Sequence, residues 1–403
     1  MATPSLAMIP SAIADAKVYS VLPNNGDGDF TFDRASTATR VGQNGLIETV
    51  AIDLPRLNYD ISNGVVQSCP SLLLEPASTN LVTYSEDFSQ SAWLKTRATI
   101  TTNQITSPDG TLSASFQAET TDNNSHFIFF NYTTSVASYT FSVFVKYKNR
   151  QYMQFIKGGG ASGYANFDIL NGTTANFGGA YTSTKIENYG NGWYRCSGTF
   201  TGASEAMNFG VCNILTNVSS RFENYTGDVN SGFYIYGAQF EALSYATSYI
   251  PTNGSSQTRA AETCFGAGTS STFNDSEGVL YAEIKALAND GTSRHFSIND
   301  GTAANKVEIY YDSTTNEING HINVSGVTSA IFSHTFATVL EYHKVAVKYK
   351  ANDFSMFVNG AQIATDTSGV VFSANTLNNL AFDKGNATLE FYGNTKDIRV
   401  FNE

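Results

Sequence analysis

The chain has 403 residues, with 23 Lys and Arg against 35 Asp and Glu, a formal net charge of −12. That length implies two or three domains and enough chain to bury cores without covalent staples. The acidic balance argues against nucleic acid, which is bound by cations that neutralise phosphate, and against docking on anionic lipid.

Only 14% of the residues are charged, while Thr, Ser, Asn and Gly abound and 28 Phe and 22 Tyr are present. Such a mixture suits strands and tight turns. Runs of Ala, Leu, Glu and Lys that would build helices are missing, which excludes a helical bundle or an ordinary α/β enzyme. Aromatic and β-branched residues are too frequent for disorder.

In chain order, the opening MATPSLAMIPSAIADAK has no basic stretch and proline breaks its apolar runs, so it does not read as a signal peptide. No window reaches ~18 consecutive apolar residues, so no membrane insertion is expected. Residues 1–80 hold six of the eight prolines and a hairpin-like pair, FTFDRASTATRV and GLIETVAIDL, around Gly42–Gly45. This stretch is predicted to be a small connector region. Within it, NNGDGDFTFD sets Asn25, Asp27 and Asp29 at alternate positions. Asp27 and Asp29 are the candidate metal ligands, for a structural Ca²⁺; the EF-hand pattern is incomplete, and a polar hairpin tip is the alternative. No other cofactor is expected.

Residues 81–262 are a succession of short alternating runs. In SYTFSVFVKYK, Tyr139, Phe141, Val143, Val145 and Tyr147 share one face, with Thr140, Ser142, Lys146 and Lys148 mostly on the other. Further strands are predicted at HFIFFNY, QYMQFIK, GWYRCSGTF, AMNFGVCNIL and FYIYGAQFEAL, separated by turn clusters such as SPDG and YGNG. Many short strands at this spacing predict a jelly roll or β-sandwich. PTNGSSQTRAAET is polar and reads as a strandless linker. Residues 263–403 show the same short alternating runs. Leu280, Ala282, Ile284 and Ala286 alternate with Tyr281, Glu283 and Lys285, and Asn359-Gly360 marks a hairpin turn. The whole is therefore predicted all-β, two successive sandwiches behind the connector.

Motifs for chemistry are sparse. There is no HExxH, GxSxG or Walker pattern, and the GxGxxG at Gly158, Gly160 and Gly163 lacks the following helix and acidic residue of a dinucleotide site. Cys69, Cys196, Cys212 and Cys264 show no CxxC spacing, so zinc is not implied, and whether any pair is open. Glu86 and Asp87 are adjacent and on an extended chain point to opposite faces, which does not suit paired carboxylate catalysis. Sugar binding by a sandwich needs aromatic faces with amide and hydroxyl donors. Trp93, Trp193, Tyr194, Tyr310, Tyr311, Asn319 and Asn323 are the candidates, against the general tendency of aromatics to be core.

The segments MIPSAIADAKVYSVLPNNGDGDFTFDRASTATRVGQNGLIE, PRLNYD and CPSLLLEPASTNLVTYSEDFSQSAWLK resemble the opening of tailed-phage virion fibre, spike or appendage proteins, over about the first 95 residues. FYIYGAQFEALSYATSYIPTNGSSQTRAAE is similar to the closing strand and exit of a jelly roll of the carbohydrate-binding-module type. HKVAVKYKANDFSMFVNG and FYGNTKDIRVFNE are similar to a concanavalin A-like, laminin-G-like sandwich. Many such jelly rolls hold a structural Ca²⁺ with an Asp pair near the final strand, where this chain has Tyr236-Gly237.

The resemblance implies a non-enzymatic structural virion protein on the phage particle surface. Residues 1–80 would attach it to other virion proteins, 81–262 would be the jelly roll, and 263–403 the concanavalin A-like domain. It would bind host-surface polysaccharide as a homo-oligomer, a trimer being the natural guess. The competing expectations are a polysaccharide-degrading hydrolase and a purely architectural subunit.

Overall fold

The computed structural model describes residues 3–158 and 160–403, and among them all regular secondary structure is β-strand. The alternation read from the sequence produces two β-sandwiches. The first is made by two six-stranded antiparallel sheets built between Leu94 and Glu241. The strand Ser138–Tyr147 lies between Gly232–Glu241 and Trp193–Thr201. Its Tyr139, Phe141, Val143 and Val145 enter the core, where Phe209 and Phe240 pack at 4.6 Å, while Tyr147 lies exposed at the strand end. Thr140, Ser142 and Phe144 on the opposite face are buried as well. The segment 243–249 covers them: Thr140 Oγ1 donates to the Leu243 carbonyl at 2.9 Å, and Tyr249 meets Phe144 edge-on. The polar side of that strand therefore faces a second layer of protein rather than water.

The second sandwich packs an eight-stranded sheet on a five-stranded one. In the strand Glu277–Ala286, Leu280, Ala282, Ile284 and Ala286 all point into the core, as their period of two requires. Val345, Val347 and Tyr349 of the neighbouring His343–Lys350 face them. Asn359 and Gly360 both have positive φ (50° and 86°), the conformation a two-residue hairpin turn demands.

The first 80 residues differ from a separate connector. Leu6–Met8 and Ser71–Leu74 both pair with the final strand Gly393–Phe401, and Arg56–Asn58 extends the same sheet. Phe30–Asp33 pairs with Thr263–Phe265. Leu6, Met8, Val18, Phe30, Phe32, Leu72 and Leu74 thus belong to the core of the second sandwich. The hairpin around Gly42–Gly45 forms from Ala38–Val41 and Ile47–Val50.

Nor is the 251–263 stretch strandless. Gln257–Arg259 pairs with Ser78–Asn80, and Arg259 is buried. Its guanidinium enters an ionic cluster sealed from solvent. Glu262 takes Arg34 Nη1 and Arg56 Nε, each at 2.8 Å, and also Arg56 Nη2. Glu75 takes Arg56 Nη1 at 2.8 Å, Arg259 Nη1 at 3.0 Å and the Ser248 hydroxyl at 2.6 Å. Polarity in this segment marks mutually neutralised charge, the condition under which ions tolerate burial. All four cysteines are free thiols; Cys69 is exposed and the others are buried.

Candidate functional site

The outward face of the five-stranded sheet carries a group of ionisable side chains over a cleft. Residues whose neighbours Val307, Ile309 and Tyr311 enter the core must point the other way, so Lys306, Glu308 and Tyr310 share the outer face of the strand Lys306–Tyr311. The antiparallel register sets His295 beside Tyr310 from one side. From the other it sets Asn323 beside Lys306 and His321 beside Glu308. The resulting cleft holds about 440 Å³, with Lys384 and Leu389 of the loop 383–390 on its rim.

Glu308 is the hub. Its Oε2 accepts from His295 Nδ1 at 2.9 Å, and its Oε1 from His321 Nδ1 at 2.8 Å. A carboxylate only accepts, so both imidazoles carry their proton on Nδ1 on this side. Burial pushes the Glu308 carboxyl up, but the hydrogen bonds from His295 and His321 overcome it and hold the group well below the usual carboxylate range. Burial pushes His295 down, against the pull of Glu308. His321 Nε2 meets Thr328 Oγ1 at 3.0 Å. The Tyr310 ring, half-buried, stacks on His295 with centroids 4.3 Å apart and planes 9° from parallel. Burial and then the Glu308 charge push its hydroxyl up to about 12, so it is a neutral phenol at physiological pH. Asn323 lines the same cleft and donates to the Ala303 carbonyl at 3.0 Å.

Of the residues singled out in the sequence, only Tyr310 and Asn323 line this cleft. Trp93 is a core side chain: it packs on Phe88 and Phe130, and its indole donates to the Tyr84 carbonyl. Trp193 is buried beside Phe144 and Tyr236, with its indole on the Thr106 carbonyl. Tyr311 is core, and Asn319 is buried and donates to Asp312. Tyr194 lies partly buried against the first core, its ring covered by the turn at Gly172. Trp93, Trp193, Tyr311 and Asn319 present no open ring or amide to a sugar, and Tyr194 lies outside the cleft. Asp29 accepts from Lys17 and from the Ser20 amide and hydroxyl, while Asp27 is exposed and takes the Asn25 amide. The two carboxyls are thus engaged by separate side chains, and among the described residues no three His, Cys, Asp or Glu side chains gather as a metal site would need. In place of the Asp pair near the last strand of the first sandwich, Tyr236 Oη stands 3.0 Å from both Glu86 and Asp109.

His295, Lys306, Glu308, His321 and Lys384 carry no motif that marks them in the sequence. One signal was there: Lys306, Glu308 and Tyr310 alternate with Val307, Ile309 and Tyr311. The partners that complete the cluster come from other strands.

No family model and no curated protein matches the chain. Among solved structures it is similar to the carbohydrate-binding module CBM40 of the Ruminococcus gnavus IT-sialidase, at 17% identity over 34% of this chain and 81% of that one, with a TM-score of 0.29. It is similar to the tandem CBM22-1–CBM22-2 of Paenibacillus barcinonensis Xyn10C at 9% identity, over 82% and 100% of the two chains, TM-score 0.26. Domains LG4-5 of the mouse laminin alpha1 chain show 9% identity over 81% and 89%, TM-score 0.26.

Proposed function

We propose that this chain is a non-catalytic carbohydrate-binding protein whose sugar site is the cleft on the five-stranded sheet. The observation that carries the reading is the Tyr310 ring, stiffened by its stack on His295, beside hydrogen-bonding groups held in place by Glu308. An aromatic body flanked by fixed polar groups suits a pyranose, which offers C–H bonds on its face and hydroxyls at its edge. Binding is favoured over hydrolysis because both oxygens of Glu308 are already hydrogen-bonded. Asp312, on the same cleft, is engaged by the Thr314 amide and hydroxyl and by the Asn319 amide.

The setting we propose is the surface of a phage particle, as a fibre, spike or appendage subunit attached to other virion proteins. It rests on the resemblance of the first 95 or so residues. Several copies in one appendage, three being the natural number, would turn weak single sites into useful avidity against host polysaccharide.

Calorimetry of the full chain against host-surface polysaccharide tests the site. Tyr310→Ala is expected to weaken binding by about tenfold, the worth of one aromatic contact of ~1.4 kcal/mol, with an unchanged far-ultraviolet spectrum. Binding that ignores Tyr310→Ala places the site elsewhere, and sustained release of reducing ends would replace binding by hydrolysis.

A further inference from the structure

The cleft contains two cations whose charge its own residues do not fully use. Lys306 is 1% exposed and lines the cleft. Its ammonium pairs with Glu308 Oε1 at 2.6 Å, and no second acceptor among the described residues reaches it. A buried ammonium carries three donors, and leaving them unmet is costly. Glu308 reaches one of the three, sharing its Oε1 between Lys306 and His321 while Oε2 takes His295. Lys384 also lines the cleft, and no carboxylate among the described residues comes within ion-pair distance of it. The two lysines are near enough that the charge of Lys384 disfavours protonation of Lys306 and of His295.

Accumulating like charge around one opening is unfavourable unless something neutralises it. The chain as a whole has a net charge of −12, so two lysines on one opening are a local concentration of cations. Asp312, the other carboxylate on the cleft, is held by its own turn and by Asn319. We infer that the cleft takes a carboxylate-bearing sugar residue, its acid group seated between Lys306 and Lys384 and its ring against Tyr310. The inference rests on the carbohydrate reading above and narrows it from sugars in general to acidic ones. Phosphate or sulfate esters would share the charge but not the planar two-oxygen shape, and they serve as a further arm of the test.

The test titrates the full chain with oligogalacturonate, oligoalginate and hyaluronan oligosaccharides, with their carboxyl-reduced counterparts, and with a sulfated neutral oligosaccharide. At least one acidic oligosaccharide is expected to bind about tenfold or more tighter than its reduced form, the worth of a charge-assisted hydrogen bond, and the gap should shrink with added salt. Lys384→Gln should abolish that gap while Lys384→Arg keeps it, and Tyr310→Ala should weaken acidic and reduced forms alike. Lys384 is half-exposed, so its variants are expected to fold; Lys306→Gln is a supplementary variant, to be read only where its melting curve is intact. Equal binding of acidic and reduced forms, preference for the sulfated sugar, or a preference that survives Lys384→Gln overturns the acidic assignment and leaves the sugar site standing. Absence of binding to every sugar overturns both.

Discussion

Glu262 shows how much one side chain can hold in this molecule. It is fully buried and meets Arg34 and Arg56 at once, and the Glu75 amide donates to it at 2.8 Å. Removing one partner of such a group strands the others without water. Glu262→Gln is therefore expected to cost about 3–5 kcal/mol in denaturant unfolding. Lys350→Gln, which breaks the exposed pair with Glu277, should leave the unfolding midpoint nearly unchanged. The same cluster sets an acid limit. Burial raises the Glu75 carboxyl, but Arg259, Arg56 and Ser248 overcome this and bring it down to about 2, from an ordinary value of 4.5. A carboxyl depressed in the folded state stabilises it above the unfolded value and loses that contribution as protons reach it. Stability should fall as pH drops from about 4.5 towards 2, by on the order of 3 kcal/mol from Glu75. Melting curves across that window check the slope.

At the level of elements, the final strand Gly393–Phe401 has Glu277–Ala286 on one side and both Leu6–Met8 and Ser71–Leu74 on the other. Residues 263–403 alone would leave that second side bare. They would also lack seven side chains, from Leu6 to Leu74, that are at most 1% exposed in the whole chain. At ~1.5–3 kcal/mol each, their burial is worth roughly 10–20 kcal/mol, as much as the entire net stability of an ordinary domain. A 263–403 fragment should therefore fail to give dispersed amide resonances, and adding a 3–80 segment should restore them. Elements were the most legible level in the sequence. The Leu280–Ala286 alternation and the Asn359-Gly360 turn depend on neighbours a few residues apart and stand where expected. Pairings such as Leu72 with Thr395 were not legible, because strand spacing says nothing about which distant strand lies alongside.

Across the whole molecule, the candidate cleft was half readable. Tyr310 and Asn323 announce themselves by type, whereas Glu308 becomes a hub only when His295 and His321 arrive from flanking strands. Trp93 and Trp193 misled for the opposite reason: their size made them attractive to a sugar and equally attractive to a core, and the core claimed both.

The hydroxyl of Ser5 touches the carbonyl of Val400 at 3.3 Å, across 395 positions of sequence. At ~5–20 residues per second, a ribosome needs roughly 20–80 s to supply the second partner after the first has emerged. During that delay Leu6–Met8 has only its bridge to Leu22 and waits for its partner strand, while the sandwich between Leu94 and Glu241 has all its strands in hand. Pulse proteolysis of stalled nascent chains should find the inner sandwich protected well before the outer one, and the early strands are where a chaperone would be needed.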